Sequence, residues 1–490
     1  MGKKMENFNN PTDENTEFWY NYQVLCGVEE EFLIINNKGT LVEAADEIMM
    51  KAAEILEKDT NLLNSLKIKI RGLDAEPSPT QIEYVTLPLP PSEIENAIIA
   101  GRQLLIKSAE LLGVKILAQS LHPIQSDPHP IVGTHINISV QRKGYIMTPE
   151  EIRAVYNYLW NYLPEIIAYT GNSPIYQGNF TNFISNRLLK SRVLKPNGPA
   201  KIKVPENKPA LVPMRYYGRM RYTLRIGTGE DEFAKSVIAN PKGDRLMDIT
   251  PRGPSTNIGA DKDDSPTRNR VEIRVIDVQQ DHRDLIDLVF LCCASALHAL
   301  ALDRQNQLNI DSHHDINLKS VLEQGKNALL KRNNKKITVE ESLSDWFEKI
   351  KHFQEVLGIK MNIHPIEKLN QEPLQKELKI KYNTRNIENL RRQGKKYAIV
   401  QLNSSRIVKD KSGRTYKVNS GAQLNGTLSV DYNLSFNERD GIVTNFNSIN
   451  IINVLNLQDL KIPLKKEDHV LSAMTETEYL TRSFLGNFLF

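Results

Sequence analysis

The chain begins its ordered patterning with a run in which apolar residues flank Glu29-Glu30-Glu31 and continue through Phe32-Leu33-Ile34-Ile35. The turn residues Asn36-Asn37-Lys38-Gly39 close it, so the pattern predicts a strand over 21–36. Side chains alternate faces along a strand, which sends Glu29 and Glu31 one way and Glu30 the other. Val42, Ala45, Ile48, Ala52 and Ile55 recur at helical spacing and predict a helix over 41–65. Lys67 to Arg71 reads as a short strand. Gln81 to Thr86 reads as another, with Gln81, Glu83 and Val85 on one face, ended by Pro88, Pro90 and Pro91. Ser92, with Glu95 three residues on, predicts a capping box opening a long helix to Leu112.

Further on, Val114 to Ser120 is apolar and strand-like, and Gly133 to Val140 alternates so that His135, Asn137 and Ser139 share a face. Thr148-Pro149-Glu150-Glu151 opens a helix expected to run to about Tyr169 with a break near Pro164. The stretch 170–190 is rich in loop residues, and 191–265 has no clear element. Arg270 to Val278 alternates again, placing Glu272, Arg274 and Ile276 together. Asp284 to Leu302 predicts a buried helix. Its apolar run, Leu288 to Leu302, is shorter than a membrane span and carries His298. The segment 304–340 is polar, and 341–400 reads as helices broken by Pro365 and Pro373. From about 405, Gly, Ser and Asn with short β-prone runs (Thr427 to Tyr432, Ile449 to Val454) predict a small β-rich appendage. No internal repeat is visible. The expected organisation is a disordered segment over 1–20, a catalytic domain over 21–400 and a β-rich extension over 405–490.

Composition adds bounds. The chain has 490 residues, 40% hydrophobic and 25% charged, which suits a globular protein of more than one small core. A net charge of +4 is too small to imply nucleic-acid binding. Residues 1–20 are polar and lack the apolar core of a signal peptide. The three cysteines, Cys26, Cys292 and Cys293, have no zinc-site or disulfide spacing, and the expected setting is a reducing cytoplasm with no membrane association. All three read as core residues. His313-His314, between aspartates, reads as a solvated loop, and Trp346 with Phe347 as core.

The chemistry lies in four polar patches on or beside predicted strands: Glu29/Glu31, Glu76 with Gln81/Glu83, His135/Asn137, and Glu272/Arg274. Two carboxylates on one face repel, and burying both is costly unless a cation sits between them. Hard oxygen ligands of this kind suit Mg²⁺ or Mn²⁺. Taken one at a time, a patch is equally a solvated acidic edge or a set of ion pairs. Together the patches supply enough donors for about two or three divalent ions. Arg274, Arg187 and the arginines at 215, 219, 221 and 225 could neutralise phosphate, although the last four could equally line a solvated strand face or touch nucleic acid. Metal ions and arginines over a carboxylate-lined sheet are what ATP-dependent phosphoryl transfer needs. No Walker A or dinucleotide Gly-rich motif is present, so ATP would be held mainly through metals.

Six ordered motifs then carry a resemblance: Gly27-Val28-Glu29-Glu30-Glu31-Phe32, Gln81-Ile82-Glu83-Tyr84-Val85-Thr86, His122-Pro123, Gly133-Thr134-His135, Ser173-Pro174-Ile175-Tyr176-Gln177-Gly178 ahead of Arg187, and Val271 to Gln279. From about residue 24 to 300 the chain resembles the glutamate–cysteine ligase type 2, or carboxylate–amine ligase, family of the glutamine-synthetase-like superfamily. The resemblance implies an α+β fold, a curved antiparallel sheet with helices on its outer face. It implies ATP and Mg²⁺, with Mn²⁺ as a substitute, and small-molecule substrates: a carboxylic acid such as glutamate, and an amine. Relatives commonly associate, so a homo-oligomer is compatible with it. By position it implies Glu29, Glu31, Glu76, Glu83, His135 and Glu272 as metal ligands, and Arg274 and Arg187 as phosphate- or substrate-contacting catalytic residues. Asn137 stands where relatives usually have the second histidine of His-x-His, and would contact the nucleotide by a hydrogen bond without charge. Thr181-Asn182 replaces a Thr-Gly pair, and an upstream Arg-Pro is missing, with Arg268 or Arg270 available in its place. The implied function is an ATP-dependent ligase forming an amide, of γ-glutamyl type, through an acyl phosphate. The alternative is a catalytically altered ligase-fold protein that binds nucleotide as a scaffold.

Overall fold

The structure is a computed structural model. It describes Trp19 and residues 21–37, 39–76, 78–123, 131–142, 147–176, 179–181, 183–190, 269–332, 335–362, 364, 367 and 369. It also describes strand segments within 202–252 and 379–474. Expectations for residues 1–18, for Asn182 and Arg268, and for the side chains of the arginines at 215, 219, 221 and 225 fall outside the described residues.

A long strand, β1 (Tyr22–Ile35), organises the sheet. On one edge it pairs antiparallel with β3 (Gln81–Thr86), which in turn pairs with β2 (Ile70–Ala75). Its other edge is shared. β4 (Lys115–Leu117) takes residues 33–35, and β5 (Thr134–Arg142) takes residues 22–30. Beyond β2 lie β6 (Ala210–Tyr216) and β7 (Arg219–Arg225), a hairpin joined to the sheet through β7. Beyond β5 lie β8 (Ile249–Arg252) and β9 (Arg270–Ile276), with β9 against β5. Glu29 and Glu30 are bonded in register on both edges, so the acidic run is at the middle of the sheet.

Burial along β1 alternates as the sequence predicts. Val24, Cys26, Val28, Glu30, Phe32 and Ile34 are buried on one face, whereas Glu29 and Glu31 are partly open on the other. The buried face carries the helices. The helix α1 (Ala45–Lys58) ends at Asp59, whose side chain accepts from Leu62 N and starts α2 (Thr60–Lys67). The single helix expected over 41–65 is therefore two. The long helix α3 (Pro91–Leu111) packs on β3 and β1. Its N-cap is Pro90 with Pro91 in the first turn and no side-chain cap. The Ser92/Glu95 capping box is thus not formed, because the helix starts at Pro91, two residues earlier than a Ser92 cap would place it, and Pro91 needs no N–H partner there. Thr148 does form its capping box with Glu151, opening α4 (Pro149–Asn161), and α5 (Leu163–Thr170) follows the expected break.

After a short helix, α6 (Asn186–Lys190), comes the core helix α7 (His282–Arg304). By length and composition α7 could cross a membrane, but almost all of it is buried inside the protein. Buried Leu, Ile, Val and Phe side chains contribute roughly 1.5–3 kcal/mol each, which makes α7 the spine of the larger apolar cluster. Cys26, Cys292 and Cys293 are free and buried there, as expected.

The polar segment after 304 holds more structure than its composition suggests. It contains α8 (His314–Gln324), a hairpin of Leu329–Arg332 with Lys335–Thr338, and then α9 (Val339–Val356). His314 is not in a solvated loop: it is 3% exposed and stacked on Trp160. The helices expected across 341–400 are only partly seen. α9 is helical, but Lys379–Ile380 and β10 (Tyr397–Gln401) are strands. The β-rich C-terminal appendage is present. β10 pairs with β11 (Gln423–Phe436) and β13 (His469–Met474), and β11 pairs with β12 (Val443–Asn456). β12 meets β4 through Val443 and Leu117, so the appendage extends the sheet. The fold is α+β: an antiparallel sheet, but for two short parallel pairings, with helices packed on it.

Candidate metal centre and active site

Register decides which side chains can meet. Glu31 stands opposite Glu83, which stands opposite Asp74. Glu29 stands opposite His135, and Asn137 opposite Glu272. Directly paired residues in a sheet share a face, and so do residues two apart along a strand. Asp74, Glu83, Glu31, Glu29, His135, Asn137, Glu272 and Arg274 are therefore on one face, across the five adjacent strands β2, β3, β1, β5 and β9. Glu76 lies just past the end of β2 and joins them. The six metal ligands implied by the resemblance are brought together, though they come from positions spread between 29 and 272.

Contacts bear this out. His135 Nδ1 is 3.1 Å from Glu29 Oε2 and 3.6 Å from Glu272 Oε1, and its Nε2 is 3.6 Å from Glu31 Oε1. Gly133 N donates to Glu31 Oε2 at 2.8 Å. Two overlapping groups could each hold an ion: Glu29 with Glu83 and His135, and Glu31 with Glu76 and Glu83, the ligand atoms of each group lying within 4.8 Å of one another. Glu83 belongs to both.

The electrostatics favour a cation. Burial pushes the Glu83 carboxyl well above its usual range, and the charges of Glu29, Glu76 and Glu31 push it further. Glu76 is raised the same way, by burial first and then by Glu31. The buried Glu83 Oε1 has no hydrogen-bond partner among the described residues. Carboxylates crowded like this repel until a cation or proton joins them. The set of hard oxygen donors with one imidazole fits Mg²⁺ or Mn²⁺.

The arginines sit at one end of this face. Arg274 Nη1 pairs with Glu272 Oε1. Burial lowers the Arg274 pKa, but Glu272, Glu31 and Glu29 outweigh it and raise the net value, so this guanidinium stays charged. Arg270 Nε donates to Asn137 Oδ1 at 2.9 Å, while Asn137 Nδ2 donates to Glu29 Oε1 at 3.1 Å. Asn137 therefore links the Arg270 guanidinium to the Glu29 carboxylate. Arg187 is 3% exposed. Its Nη1 donates to Arg274 O at 2.9 Å, and its guanidinium occupies the space a Cβ on Gly133 would need, at 1.9 Å. Arg187 braces the backbone of β9 and the approach to β5.

A buried network stands behind it. Asp277 accepts from Ser173 Oγ (2.7 Å), Ser185 Oγ (2.9 Å) and Asn172 N (2.9 Å). Burial raises its pKa, and the nearby Arg187 charge opposes that. This network seats the Ser173 motif and α6, which carries Arg187. Two residues were not singled out by sequence reasoning. Asp74 is on the acidic face and lies 3.7 Å from Arg71 Nη2. Arg102 is on the opposite face, bonded to Glu30. The alternation of β2 could have pointed to Asp74. Nothing local in α3 marks Arg102.

The sequence profile of glutamate–cysteine ligase family 2 matches residues 25–394. Among curated proteins, "Putative glutamate–cysteine ligase 2-2" of Saccharopolyspora erythraea is 25% identical over 200 residues, covering 36% of this chain and 47% of that protein. The match thus spans about half of that relative's length. Among solved structures, the complex between prokaryotic ubiquitin-like protein Pup and its ligase PafA aligns with a TM-score of 0.36 and 13% identity, over 70% of this chain and 64% of that one. A novel glutamine synthase homolog aligns with a TM-score of 0.35 and 13% identity, over 71% and 65%. Likenesses this loose have no bearing on what the site does.

Proposed function

The chain belongs to glutamate–cysteine ligase family 2, and on that premise we propose that it is an ATP- and Mg²⁺-dependent carboxylate–amine ligase. The single observation that carries the proposal is the shared face: Glu29 of β1 and His135 of β5, and Glu31 of β1 with Glu76, gather around Glu83 of β3, while Glu272 of β9 lies beside His135. A substrate carboxylate, for which we propose the γ-carboxylate of glutamate, attacks the γ-phosphorus of ATP, and ADP leaves. The amine nitrogen then attacks the acyl carbon, phosphate leaves, and the amine proton is lost as the amide forms. Divalent ions held by this face would supply positive charge against the negative charge that develops on the phosphate oxygens.

The chain's own residues have separate tasks in this reading. Glu29, Glu31, His135 and Glu272 would hold the ions that offset the charge of the nucleotide phosphates, and Glu76 with Glu83 the ion that serves the substrate carboxylate; Glu83 also reaches the Glu29/His135 group, and Glu31 the Glu76/Glu83 group. Arg274, kept charged by Glu272, stabilises the phosphoryl group in transfer. Arg270, held by Asn137, supplies a second positive charge at the same end. Arg187 contacts substrate or phosphate less directly, through its support of Arg274 O. A cytoplasmic setting is part of the proposal, and the three free buried thiols support it.

The test is a coupled ADP-release screen of carboxylic acids paired with amines, with and without Mg²⁺. ADP that appears only with both substrates and the metal is the expected result. No release from any pair would overturn ligase activity in favour of the nucleotide-binding scaffold, a reading prompted by Asn137 in place of histidine.

A further inference from the structure

The middle residue of the acidic run has a different fate from its neighbours. Glu30 is fully buried on the helix face of β1, between Val28 and Phe32. Arg102 of α3, 1% exposed, grips it with both prongs: Nε to Oε2 at 2.9 Å and Nη2 to Oε1 at 2.7 Å. The Tyr84 hydroxyl donates to the same carboxylate from β3. Burial and the Glu30 charge keep that hydroxyl protonated. The remaining donors of Arg102 reach Gln279 O at 2.7 Å and Gln280 O at 3.2 Å, on the segment that leaves β9. One guanidinium therefore ties together the strand of Glu29 and Glu31 and the exit of the strand of Glu272 and Arg274. The helix is built for this. A Cβ at Gly101 would lie 2.3 Å from the Tyr84 ring, so the ring reaches Glu30 only because position 101 is glycine.

Such a device is not needed for burial. An apolar side chain at position 30 would continue the row of Val24, Cys26, Val28, Phe32 and Ile34, and buried ion pairs are often no more stabilising than apolar replacements. What the pair adds is register. The alternation of β1 already forbids a one-residue slip, which would turn every apolar side chain outward. It is blind to a two-residue slip of about 7 Å, which keeps each face but parts Glu29 from His135 and Glu31 from Glu83. After such a slip Arg102 would face Val28 or Phe32. Only the native register gives it a carboxylate.

We propose that Arg102 is a positioning residue for the cation site: by gripping Glu30 it holds β1 in the one register that places Glu29 and Glu31 against their partners on β5 and β3. This rests on the reading of the acidic face as a cation site.

The test uses the full chain and the double variant Glu30→Leu/Arg102→Met, which removes both charges and keeps the volume apolar. Each single variant strands a buried partner and is a poorer test. Mn²⁺ binding is followed by electron paramagnetic resonance, and hydrogen exchange at residues 29–31 in the metal-free protein. The expected result is a folded double variant with Mn²⁺ affinity reduced at least tenfold and faster exchange at 29–31. Wild-type affinity with wild-type exchange would overturn the proposal. If the wild type itself binds no Mn²⁺, the cation reading fails, and exchange alone still decides the register claim: unchanged protection in the double variant refutes it.

Discussion

The two faces of β1 at residues 29–31 carry the same side chain and opposite electrostatics. On the helix face Glu30 is matched by Arg102 and Tyr84, and its charge is answered within the protein. On the other face Glu29, Glu31, Glu76, Glu83, Glu272 and Asp74 are gathered, and among the described residues the cations beside them include Arg274 on Glu272, Arg270 reaching through Asn137, and Arg71 near Asp74. A buried carboxylate with a partner is architecture. A group of carboxylates whose burial and mutual repulsion raise the pKa of Glu76 and Glu83 is a place for a cation to bind. The contrast separates a site from a scaffold without reference to conservation.

Glu83→Gln acts on the acidic face and is expected to have the largest effect. It removes a ligand from both candidate ion groups. A loss of several kcal/mol of transition-state stabilisation corresponds to about a thousandfold lower kcat, measured in the ADP-release assay. The same change relieves repulsion, so the metal-free variant is expected to unfold at or above the wild-type temperature.

Arg102→Met acts on the compensated face. Leaving Glu30 buried and unpaired costs about 3–5 kcal/mol, read by denaturant unfolding. Adding Glu30→Leu is expected to recover most of it.

Gly101→Ala forces the Tyr84 ring aside from a position where a Cβ would be 2.3 Å away, costing about 1–3 kcal/mol. A Tyr84→Phe background is expected not to relieve this, because the clash involves the ring and not the hydroxyl.

The smallest effect is on pH dependence. Glu76 and Glu83 have folded pKa values raised by burial and by their neighbours. Their contribution to metal-free stability is therefore fully present below the unfolded value of about 4.3 and is lost as pH rises through the raised folded values. Mg²⁺ favours the charged forms, so added Mg²⁺ is expected to raise the melting temperature more at pH 8 than at pH 5. A shift independent of pH would show that these carboxylates do not meet the ion.

How much of this was legible in the sequence follows from the range of the interactions. The facing of Glu29, Glu31, His135 and Glu272 is local alternation, and it was readable. So were the helix start at Thr148-Pro149 and the apolar helix α7. The pairing Glu31 to Glu83, and Glu29 to His135, depends on long-range register, and only the order of the motifs hinted at it. Arg102 was invisible because its partner is 72 residues away and an arginine in an amphipathic helix looks solvated. β11 and β12 run 14 residues each, far beyond their β-prone centres, because Asn- and Ser-rich flanks become strands through their partners and not by propensity. β10, by contrast, is Tyr397-Ala398-Ile399-Val400-Gln401 and β-prone in itself, and its partners β11 and β13 lie well downstream.

The central claim is that the open face of β1 holds divalent cations through Glu83 and its neighbours. Calorimetric titration of the full chain with Mn²⁺ at pH 7.5 tests it most directly. Saturable binding that is abolished in Glu83→Gln is the expected result. Absence of saturable binding, or binding of equal affinity in Glu83→Gln, would contradict it.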